Sequence, residues 1–358
     1  MKYLLAIDSF KGCLSSAEVE ETIAEALRKQ GADVTAIPLS DGGEGMLEAF
    51  THALDGTLPE VSVHDPLMRS LTARYGVTAE GMAIVETSQA CGLTLMTETE
   101  RNPLIATTYG VGEMVAHAIL SGCRQFIIGL GGSGTSDCGI GMLQALTERL
   151  AGGRSFDAIR PLLEDCRFTL ASDVRNVLYG EQGAAHTFGR QKGATDDMIR
   201  ALEERARQFA ESSAWHWGFD KSSEPGAGAA GGLGYAFMQY LGAKAVSGAD
   251  LLLDLIRFDK QMEGTDVVIT GEGRADRQTL MGKLPERVLC RAKAQHIPVW
   301  LMAGRIADRE ALLDAGFEKV EAITPEEMPT SEAILPATAR RNLTKWIERT
   351  TTFDRQPH

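Results

Sequence analysis

The stretch QFIIGLGGSGTSDCGIGM, from Gln125 to Met142, indicates the fold class of this 358-residue chain. It begins with the apolar run Phe126–Ile128, which is typical of a buried strand. Glycines and small polar residues follow at once, and an apolar helical pattern begins after Asp137. A strand that passes through a glycine-rich turn into a helix is the building unit of α/β domains. The stretch therefore predicts an α/β fold with a glycine-rich loop at the carboxyl end of a strand.

Within this loop, Gly129, Gly131 and Gly134 match the pattern G-x-G-x-x-G, which occurs in dinucleotide-binding turns. A nicotinamide site also requires a second strand that ends in Asp or Glu about 20 residues further on. The segment RLAGGRSFDAI at the end of the helix contains no convincing strand, so the pattern is weak evidence for NAD. A broader function remains, because the backbone N–H groups of Gly131, Gly132 and Ser133 and the following helix N-terminus suit an anion such as phosphate. The alternative is a structural turn.

Strand and helix patterns alternate at both ends of the chain. The predicted strands are 3–7, 34–38, 83–86, 126–128, 168–171, 266–270, 299–302 and 320–323. The predicted helices are 16–30, 44–53, 110–120, 139–150, 196–212, 229–241, 285–294 and 309–314. In the clearest helix, SSAEVEETIAEALRKQG, Ser16 is the predicted cap and Gly31 the stop. The alternation predicts a doubly wound, parallel-rich domain of the Rossmann or flavodoxin type, whose terminal segments share one sheet.

The middle of the chain has a different pattern. Closely spaced strands at 58–64, 71–77 and 82–86 predict a small antiparallel meander, and the stretch 152–259 interrupts the alternation. We predict a second α/β domain inserted into the first, with a cleft between them. The predicted first domain consists of residues 1–64, 102–150 and 262–358, and the second of residues 65–101 and 151–261.

The composition excludes several classes of function. A net charge of −13 disfavours general binding to nucleic acids or anionic membranes, although a local cluster of donors can still hold a small anion. The six cysteines lie far apart without a C-x-x-C pair, and the seven histidines are scattered. This argues against a zinc site and a disulfide framework and favours reduced thiols in a cytoplasmic protein. Because no apolar run approaches the ~18 residues of a membrane span, we predict none.

Two further glycine-rich segments follow along the chain. PGAGAAGGLGYAF, Pro225–Phe237, repeats the G-x-G-x-x-G pattern before a helix, and VITGEGRADRQTLMGK, Val268–Lys283, follows a buried strand. Three such clusters are hard to explain as structural turns alone, so we predict turns that approach a ligand. Gly282 and Lys283 do not form a phosphate loop of the Walker type, because Leu284 stands where Ser or Thr is required.

Polar side chains follow several of the predicted strands, where ligands bind in an open α/β sheet. They lie in IDSFKG, PLSDGGEG, ASDVRN and FGRQKGA, and comprise Asp8, Ser9, Lys11, Asp41, Glu44, Asp173, Arg175, Asn176, Arg190, Gln191 and Lys192. A mixture of Lys and Arg donors with Asp and Asn oxygens suits phosphoryl transfer, since cations offset phosphate charge and a carboxylate positions or deprotonates the attacking hydroxyl. The alternatives are helix caps at Asp8 and Asp41, a surface ion pair at Arg175 and a solvated charge at Lys192.

The chain resembles the type 1 glycerate kinase family in a string of motifs that covers nearly its whole length. In order, these are DSFKGCLSS, PLSDGGEG, GLGGSGTSDCGIGM, ASDVRN, FGRQKGA, PGAGAAGGLGYAF and TGEGRADRQTLMGKLP. The resemblance implies a two-domain α/β enzyme that uses ATP with Mg²⁺ and phosphorylates D-glycerate, typically at the 2-hydroxyl in bacterial members, to give 2-phosphoglycerate and ADP. The chain departs from the family pattern at Cys13, Gly134, Ser136, Cys138, Val177, Arg190 and Ala275.

The resemblance, together with side-chain chemistry, assigns candidate roles. The predicted catalytic residues are Asp173, Asp276, Lys11 and Arg274. The predicted ATP-binding residues are Gly131, Gly132, Ser133, Asp137, Lys192 and Gly228, and the predicted Mg²⁺ ligands are Asp173, Asn176 and Glu272. Which of Asp173 and Asp276 is the base and which the metal ligand stays open. The candidates for the glycerate carboxylate are Lys11, Arg274 and Lys192.

Three other functions remain as alternatives. The chain could phosphorylate another small hydroxy acid on the same scaffold, act as a dinucleotide-dependent oxidoreductase, or sense an organic acid without catalysis. The missing ribose acid argues against the oxidoreductase, and the retained acidic residues argue against the sensor. The sequence leaves open the phosphorylated hydroxyl and the oligomeric state, a homo-oligomer included.

Overall fold

The computed structural model describes residues 1–10, 12–40 and 45–352. Within these residues the chain forms twelve strands and fifteen α-helices. The strands are β1 (Lys2–Ile7), β2 (Asp33–Ala36), β3 (Glu60–His64), β4 (Ser70–Arg74), β5 (Gly76–Val77), β6 (Met82–Glu86), β7 (Gln125–Gly129), β8 (Arg167–Ala171), β9 (Lys244–Val246), β10 (Val267–Ala275), β11 (Val299–Ile306) and β12 (Lys319–Ala322). The helices are α1 (Ser16–Lys29), α2 (Met46–Ala53), α3 (Ser88–Cys91), α4 (Tyr109–Leu120), α5 (Ile140–Ala151), α6 (Arg160–Leu163), α7 (Ala184–Phe188), α8 (Asp196–Trp217), α9 (Ala229–Leu241), α10 (Gly248–Leu255), α11 (Phe258–Gln261), α12 (Leu284–Ala294), α13 (Arg309–Ala315), α14 (Thr330–Ala333) and α15 (Pro336–Thr352).

The first sheet has the strand order β2-β1-β10-β11-β12, and all of its strands are parallel. Numbered within this sheet, the order is 2-1-3-4-5, the flavodoxin-like arrangement. The direction of winding reverses between β1 and β10, where Leu5 lies opposite Ile269. The prediction that the two ends of the chain share one parallel sheet is confirmed.

The second sheet has the order β5-β6-β7-β8-β9. Strand β5 pairs antiparallel with β6, whereas β6 to β9 are parallel. Strands β3 and β4 form a separate antiparallel hairpin. The predicted antiparallel pairings are present, but the single meander predicted for residues 58–86 is divided between two sheets. On its other side, strand β6 pairs in parallel with β7, because its run Ala83–Val85 is apolar and fully buried, as parallel strands with both faces covered must be.

The described chain divides into two compact units, and the second interrupts the first along the sequence. The first unit comprises residues 1–40, 52–54 and 249–352, and the second comprises residues 45–51 and 55–248. These boundaries differ from the predicted ones. Residues 102–150, which we predicted to join the termini, lie in the second unit because their strand β7 pairs with β6 and β8. The pattern of a strand shows that it is buried, but not which sheet it joins.

The cap of helix α1 lies one residue before the predicted one. Ser15 is the cap, and it exchanges hydrogen bonds with Glu18 in a capping box. The predicted cap, Ser16, is buried instead. Its hydroxyl donates to the carbonyl of Ile7 and accepts from the N–H of Leu39 at 3.0 Å. Ser16 therefore links the carboxyl end of β1 to the segment that follows β2.

Each unit has its own apolar core. In the first, the fully buried Trp300 of β11 shares a cluster with Leu343 and Trp346 of α15. In the second, Met114 of α4 and Phe237 of α9 lie in the cluster that covers the second sheet. Within the described ranges, no helix is long and apolar enough to cross a membrane.

Candidate active site

The glycine loop, residues 130–139, connects β7 to α5 and points its carbonyl groups toward protein donors. The carbonyl of Gly132 accepts from the N–H of Leu93 at 2.9 Å. The carbonyl of Thr135 accepts from Nζ of Lys192 at 2.6 Å, and that of Ser136 from Nη2 of Arg205 at 2.7 Å. Two cationic side chains thus hold successive carbonyls of one loop.

Three N–H groups of the same loop differ from its carbonyl groups in their hydrogen bonding. Those of Gly131, Gly132 and Ser133 donate no hydrogen bond to any described residue. Gly132 has a φ of +72°, a backbone conformation that glycine adopts without strain. Successive N–H groups in a turn conformation can form a concave nest that binds anions, and we call residues 131–133 the nest. The prediction that these three residues suit an anion is consistent with this geometry.

Lys192 lies at the end of a short 3₁₀ helix, Arg190–Lys192, and is only 2% exposed. Its Nζ atom donates to Oγ of Ser133 at 3.0 Å. Burial lowers the pKa of Lys192 to about 8, because the charged ammonium loses its hydration. The alternative of a solvated loop charge is therefore wrong. A buried cation beside the nest is a strong attraction for an anion.

The carboxylate of Asp137 fixes the glycine loop from within. Its Oδ2 atom accepts from the N–H of Thr108 at 2.8 Å and from the N–H of Gly141 at 3.1 Å. Its Oδ1 atom accepts from the N–H of Gly139 at 3.1 Å. These bonds link the start of α4 to the start of α5. Both oxygens are thus in use, so Asp137, predicted to bind ATP, here holds the loop in shape.

The second glycine cluster, Pro225–Phe237, packs against the first. A Cβ atom at Gly231 would lie 2.1 Å from the carbonyl oxygen of Thr135, so only glycine allows this approach. The N–H of Gly228 donates to the carbonyl of Asn176 at 2.9 Å. Gly228 was predicted to bind ATP, but its N–H is already used within the protein. The cluster supports the glycine loop through close backbone packing.

Asp173 and Asn176 follow β8 in the second unit. The side chain of Asp173 is exposed, whereas Asn176 is half-buried. Nδ2 of Asn176 donates to the carbonyl of Gln182 at 2.8 Å and to Oγ1 of Thr187 at 3.1 Å. These bonds fix the orientation of the amide, and its oxygen accepts no bond from the described residues. That oxygen is the atom which a hard cation such as Mg²⁺ would bind.

The first unit contains a cavity of about 430 Å³ at the carboxyl ends of its strands. Asp8 and Ser9 follow β1, Glu272 and Arg274 lie near the end of β10, and Arg305 lies near the end of β11. The cavity thus lies at the point where the winding of the sheet reverses. Ligands bind at this point in open α/β sheets.

Glu272 is a buried residue of this cavity and forms an ion pair. Its Oε2 atom accepts from Nζ of Lys283 at 3.0 Å, and its Oε1 atom accepts from Oγ1 of Thr279 at 2.6 Å. We predicted Glu272 as a metal ligand, and in this structure both of its carboxylate oxygens accept hydrogen bonds from the protein. In this structure Glu272 positions Lys283 at the cavity.

The segment GEGRA, predicted as a turn, is part of a strand. It extends β10 to Ala275, because β11 continues beside it and Arg274 lies opposite Arg305. The side chain of Arg274 is 73% exposed. Oδ1 of Asp276 accepts from the N–H of Gln278 at 2.8 Å and so caps the 3₁₀ helix that follows, while its Oδ2 atom lies 3.6 Å from Nε of Arg274.

Some predicted residues have no structural outcome, and some contributors were missed. Lys11, Asp41 and Glu44 lie outside the described residues. The missed contributors are Arg205, Thr108, Arg305 and Glu86. Glu86 is buried at the end of β6, where it accepts from the N–H of Leu47 at 3.0 Å and from Oγ of Ser88 at 2.7 Å, and burial raises its pKa. These residues stand in sequence patterns that contain no signal of a site.

Several known proteins similar to this chain are named glycerate kinases. The chain matches the profile of the glycerate kinase family over residues 3–353. It is 38% identical over 354 residues to a glycerate kinase of Bacillus subtilis (strain 168), with 93% of each chain covered. It is 38% identical over 328 residues to the glycerate 2-kinase of Escherichia coli (strain K12), with 86% of each covered. A solved structure described as a glycerate kinase 2 from Salmonella typhimurium LT2 is similar with a TM-score of 0.80 at 33% identity, over 98% of this chain and 99% of that one. The chain therefore belongs to the glycerate kinase family, a family of phosphotransferases.

Proposed function

We propose that this chain is an ATP-dependent kinase that phosphorylates the 2-hydroxyl of D-glycerate and releases 2-phosphoglycerate and ADP. Family membership supports phosphoryl transfer to glycerate, and the relative in E. coli is named a glycerate 2-kinase. The observation that carries the proposal is the glycine loop. Three adjacent N–H groups without a partner among the described residues lie there beside the buried ammonium of Lys192.

The donor set of the loop fits the phosphates of ATP. The N–H groups of Gly131, Gly132 and Ser133 hold a phosphate oxygen, and Lys192 offsets its charge. Bound ATP supplies the phosphoryl group that is transferred. Because Arg205 and Asp137 fix the loop, the donors need little reorganisation when negative charge develops, which is how preorganised sites accelerate phosphoryl transfer.

Mg²⁺ suits the oxygen atoms that follow β8. In kinase sites this ion needs only one or two carboxylates in addition to the phosphates of the substrate. Asp173 and the amide oxygen of Asn176, which accepts no bond from the described residues, are the retained candidates for this role. Glu272 is a weaker candidate than the sequence indicated, because its two oxygens bond to Thr279 and Lys283.

The acceptor requires a cation for its carboxylate and a base for its hydroxyl. Arg274 offers an exposed guanidinium group for the carboxylate, together with Lys11, which lies outside the described residues. Asp173 or Asp276 takes the proton of the 2-hydroxyl. The hydroxyl oxygen then bonds to the transferred phosphorus, and the bond between that phosphorus and the oxygen that leaves with ADP breaks.

The test is an ADP-release assay over a panel of small hydroxy acids, followed by NMR of the product. We expect ADP formation that requires both D-glycerate and Mg²⁺, with the phosphorus of the product coupled to the proton at C2. A 3-phosphoglycerate product would support the glycerate kinase activity but refute phosphorylation at the 2-hydroxyl. No ADP release with glycerate would refute the substrate, and reduction of NAD(P)⁺ in place of ADP release would refute phosphoryl transfer.

A further inference from the structure

The cavity of the first unit is lined by two chemically different groups of side chains. Strands β10 and β11 supply Arg274 and Arg305, and Lys283 contributes from the residue that precedes α12. The segment after β12, with α14 and α15, supplies apolar side chains. Ile323 and Ala339 are buried, but Ile334 is 47% exposed.

This division fits a ligand with an apolar part and a polar part. A volume of about 430 Å³ lies in the range of pockets for ligands of drug size, ~300–1,000 Å³. Glycerate is small and polar on every side, so it neither fills this cavity nor covers Ile334. A nucleoside does both, because its base is flat and apolar on its faces while its ribose carries hydroxyl groups. Thr324 and Thr330 provide hydroxyl groups in the same lining.

The cationic residues of the cavity are held in place. Lys283 is paired with Glu272 at 3.0 Å, and Nη2 of Arg305 donates to the carbonyl of Met328 at 2.5 Å. The cavity also lies at the reversal point between β1 and β10, where flavodoxin-like sheets bind their ligands.

We propose that this cavity binds the nucleoside part of the phosphoryl donor, with the base on the apolar side chains around Ile334 and the ribose toward the strand ends. The proposal rests on the proposed function in that it takes ATP as the donor. It assigns the nucleoside to residues that neither the motifs nor the family resemblance singled out: Ile323, Thr324, Ala333, Ile334 and Ala339.

The experiment compares two neighbouring substitutions, Ile334→Ser and Leu335→Ser. Both residues are branched and about half exposed, at 47% and 53%, but only Ile334 lines the cavity. The dissociation constants of ADP and of adenosine are measured by calorimetry, and the KM values of ATP and glycerate by steady-state kinetics. For Ile334→Ser we expect the affinities for ADP and for adenosine to weaken about tenfold each, which is the scale of losing one apolar contact. The KM of glycerate should stay unchanged. Leu335→Ser should leave all four quantities unchanged.

A second substitution, Ala333→Phe, fills the cavity from a half-buried position. It should abolish adenosine binding while circular dichroism shows the fold to be retained. An increase in the KM of glycerate with unchanged adenosine binding would overturn the proposal and assign the cavity to the acid. Unchanged binding of both ligands in Ile334→Ser and Ala333→Phe would also overturn it.

The outcomes separate this proposal from the proposed function. Adenosine binding that weakens in Ile334→Ser without any glycerate phosphorylation by the wild type would refute the function and keep the nucleoside site. Glycerate phosphorylation with wild-type ATP kinetics in both cavity variants would keep the function and refute the nucleoside site.

Discussion

At the scale of single residues, Lys192 carries the charge at the glycine loop. Burial lowers its pKa to about 8, so the ammonium of the free enzyme loses its proton as the pH rises through this value. We predict that kcat/KM for ATP falls above pH 8. Lys192→Met should remove this limb of the pH profile and lower kcat/KM at pH 7, whereas Lys221→Met, which removes an exposed lysine paired with Glu224, should keep the wild-type profile.

The stability of the Lys192 variant has a predictable sign. A lysine with a lowered pKa in the folded state contributes stability above its ordinary pKa of 10.5, and this contribution is lost as the pH falls through about 8. Lys192→Met should therefore be at least as stable as the wild type at pH 6 in thermal unfolding. A marked loss of stability at pH 6 would show that Lys192 is mainly structural.

Glu20 is a second residue whose environment controls its proton. It is fully buried on α1, its Oε1 atom accepts from the N–H of Ile7 at 2.9 Å, and burial raises its pKa well above 4.5. A carboxyl group with a raised pKa contributes stability that is complete below its unfolded pKa and is lost as the pH rises through the folded value. We predict that Glu20→Gln, which stays neutral, gains thermal stability relative to the wild type between pH 4.5 and pH 8. The exposed neighbour Glu21, changed to Gln, should show no such trend, and a trend of the opposite sign would mean that Glu20 is charged in the fold.

At the scale of elements, the glycine loop works through its backbone. Gly132 and Gly122 both have positive φ values, +72° and +98°, so a side chain at either costs about 1–2 kcal/mol of backbone strain. Only Gly132 belongs to the nest. We predict that Gly132→Val raises the KM of ATP at least tenfold, or abolishes activity, while Gly122→Val, whose added Cβ meets open space, loses thermal stability through backbone strain and keeps its kinetics. Equal kinetics in the two variants would reduce the loop to a structural turn.

At the scale of the whole molecule, the candidate acids belong to different units: Asp173 lies in the second and Asp276 in the first. Phosphoryl transfer needs both a base and a metal ligand. We predict that Asp173→Asn and Asp276→Asn each lower kcat by at least ~10²-fold, the low end of general acid–base contributions. High Mg²⁺ should partly rescue the variant that lost the metal ligand, but not the one that lost the base.

The controls for this pair follow from the structure. Asn retains the acceptor that caps the 3₁₀ helix after Asp276, so the fold of that variant should persist. Asp157, an exposed acid 3.8 Å from Arg160, provides a matched Asp→Asn change away from both sites and should leave kcat unchanged. A kcat within a few-fold of wild type for Asp276→Asn would leave that residue as a helix cap.

Local patterns predicted much of this protein. The alternation of strands and helices predicted the parallel sheet of the chain ends, because buried parallel strands are apolar at nearly every position. The motif string predicted the family, and the glycines of residues 129–134 predicted a loop suited to an anion. All of these features depend on residues that are close along the chain, so their signal is present in the sequence itself.

Only the tertiary structure decided which groups meet. Lys192 reaches Ser133 across 59 residues, and its burial at that point turns a loop charge into a buried cation. Strand β7 joins the second unit because β6 and β8 lie beside it, and GEGRA becomes a strand because β11 continues beside it. The carboxylate oxygens of Asp137 accept hydrogen bonds from neighbouring N–H groups, whereas the N–H groups of residues 131–133 have no partners among the described residues. Strand pairing, burial and hydrogen bonding are set by neighbours in space, and composition or spacing along the chain does not specify them.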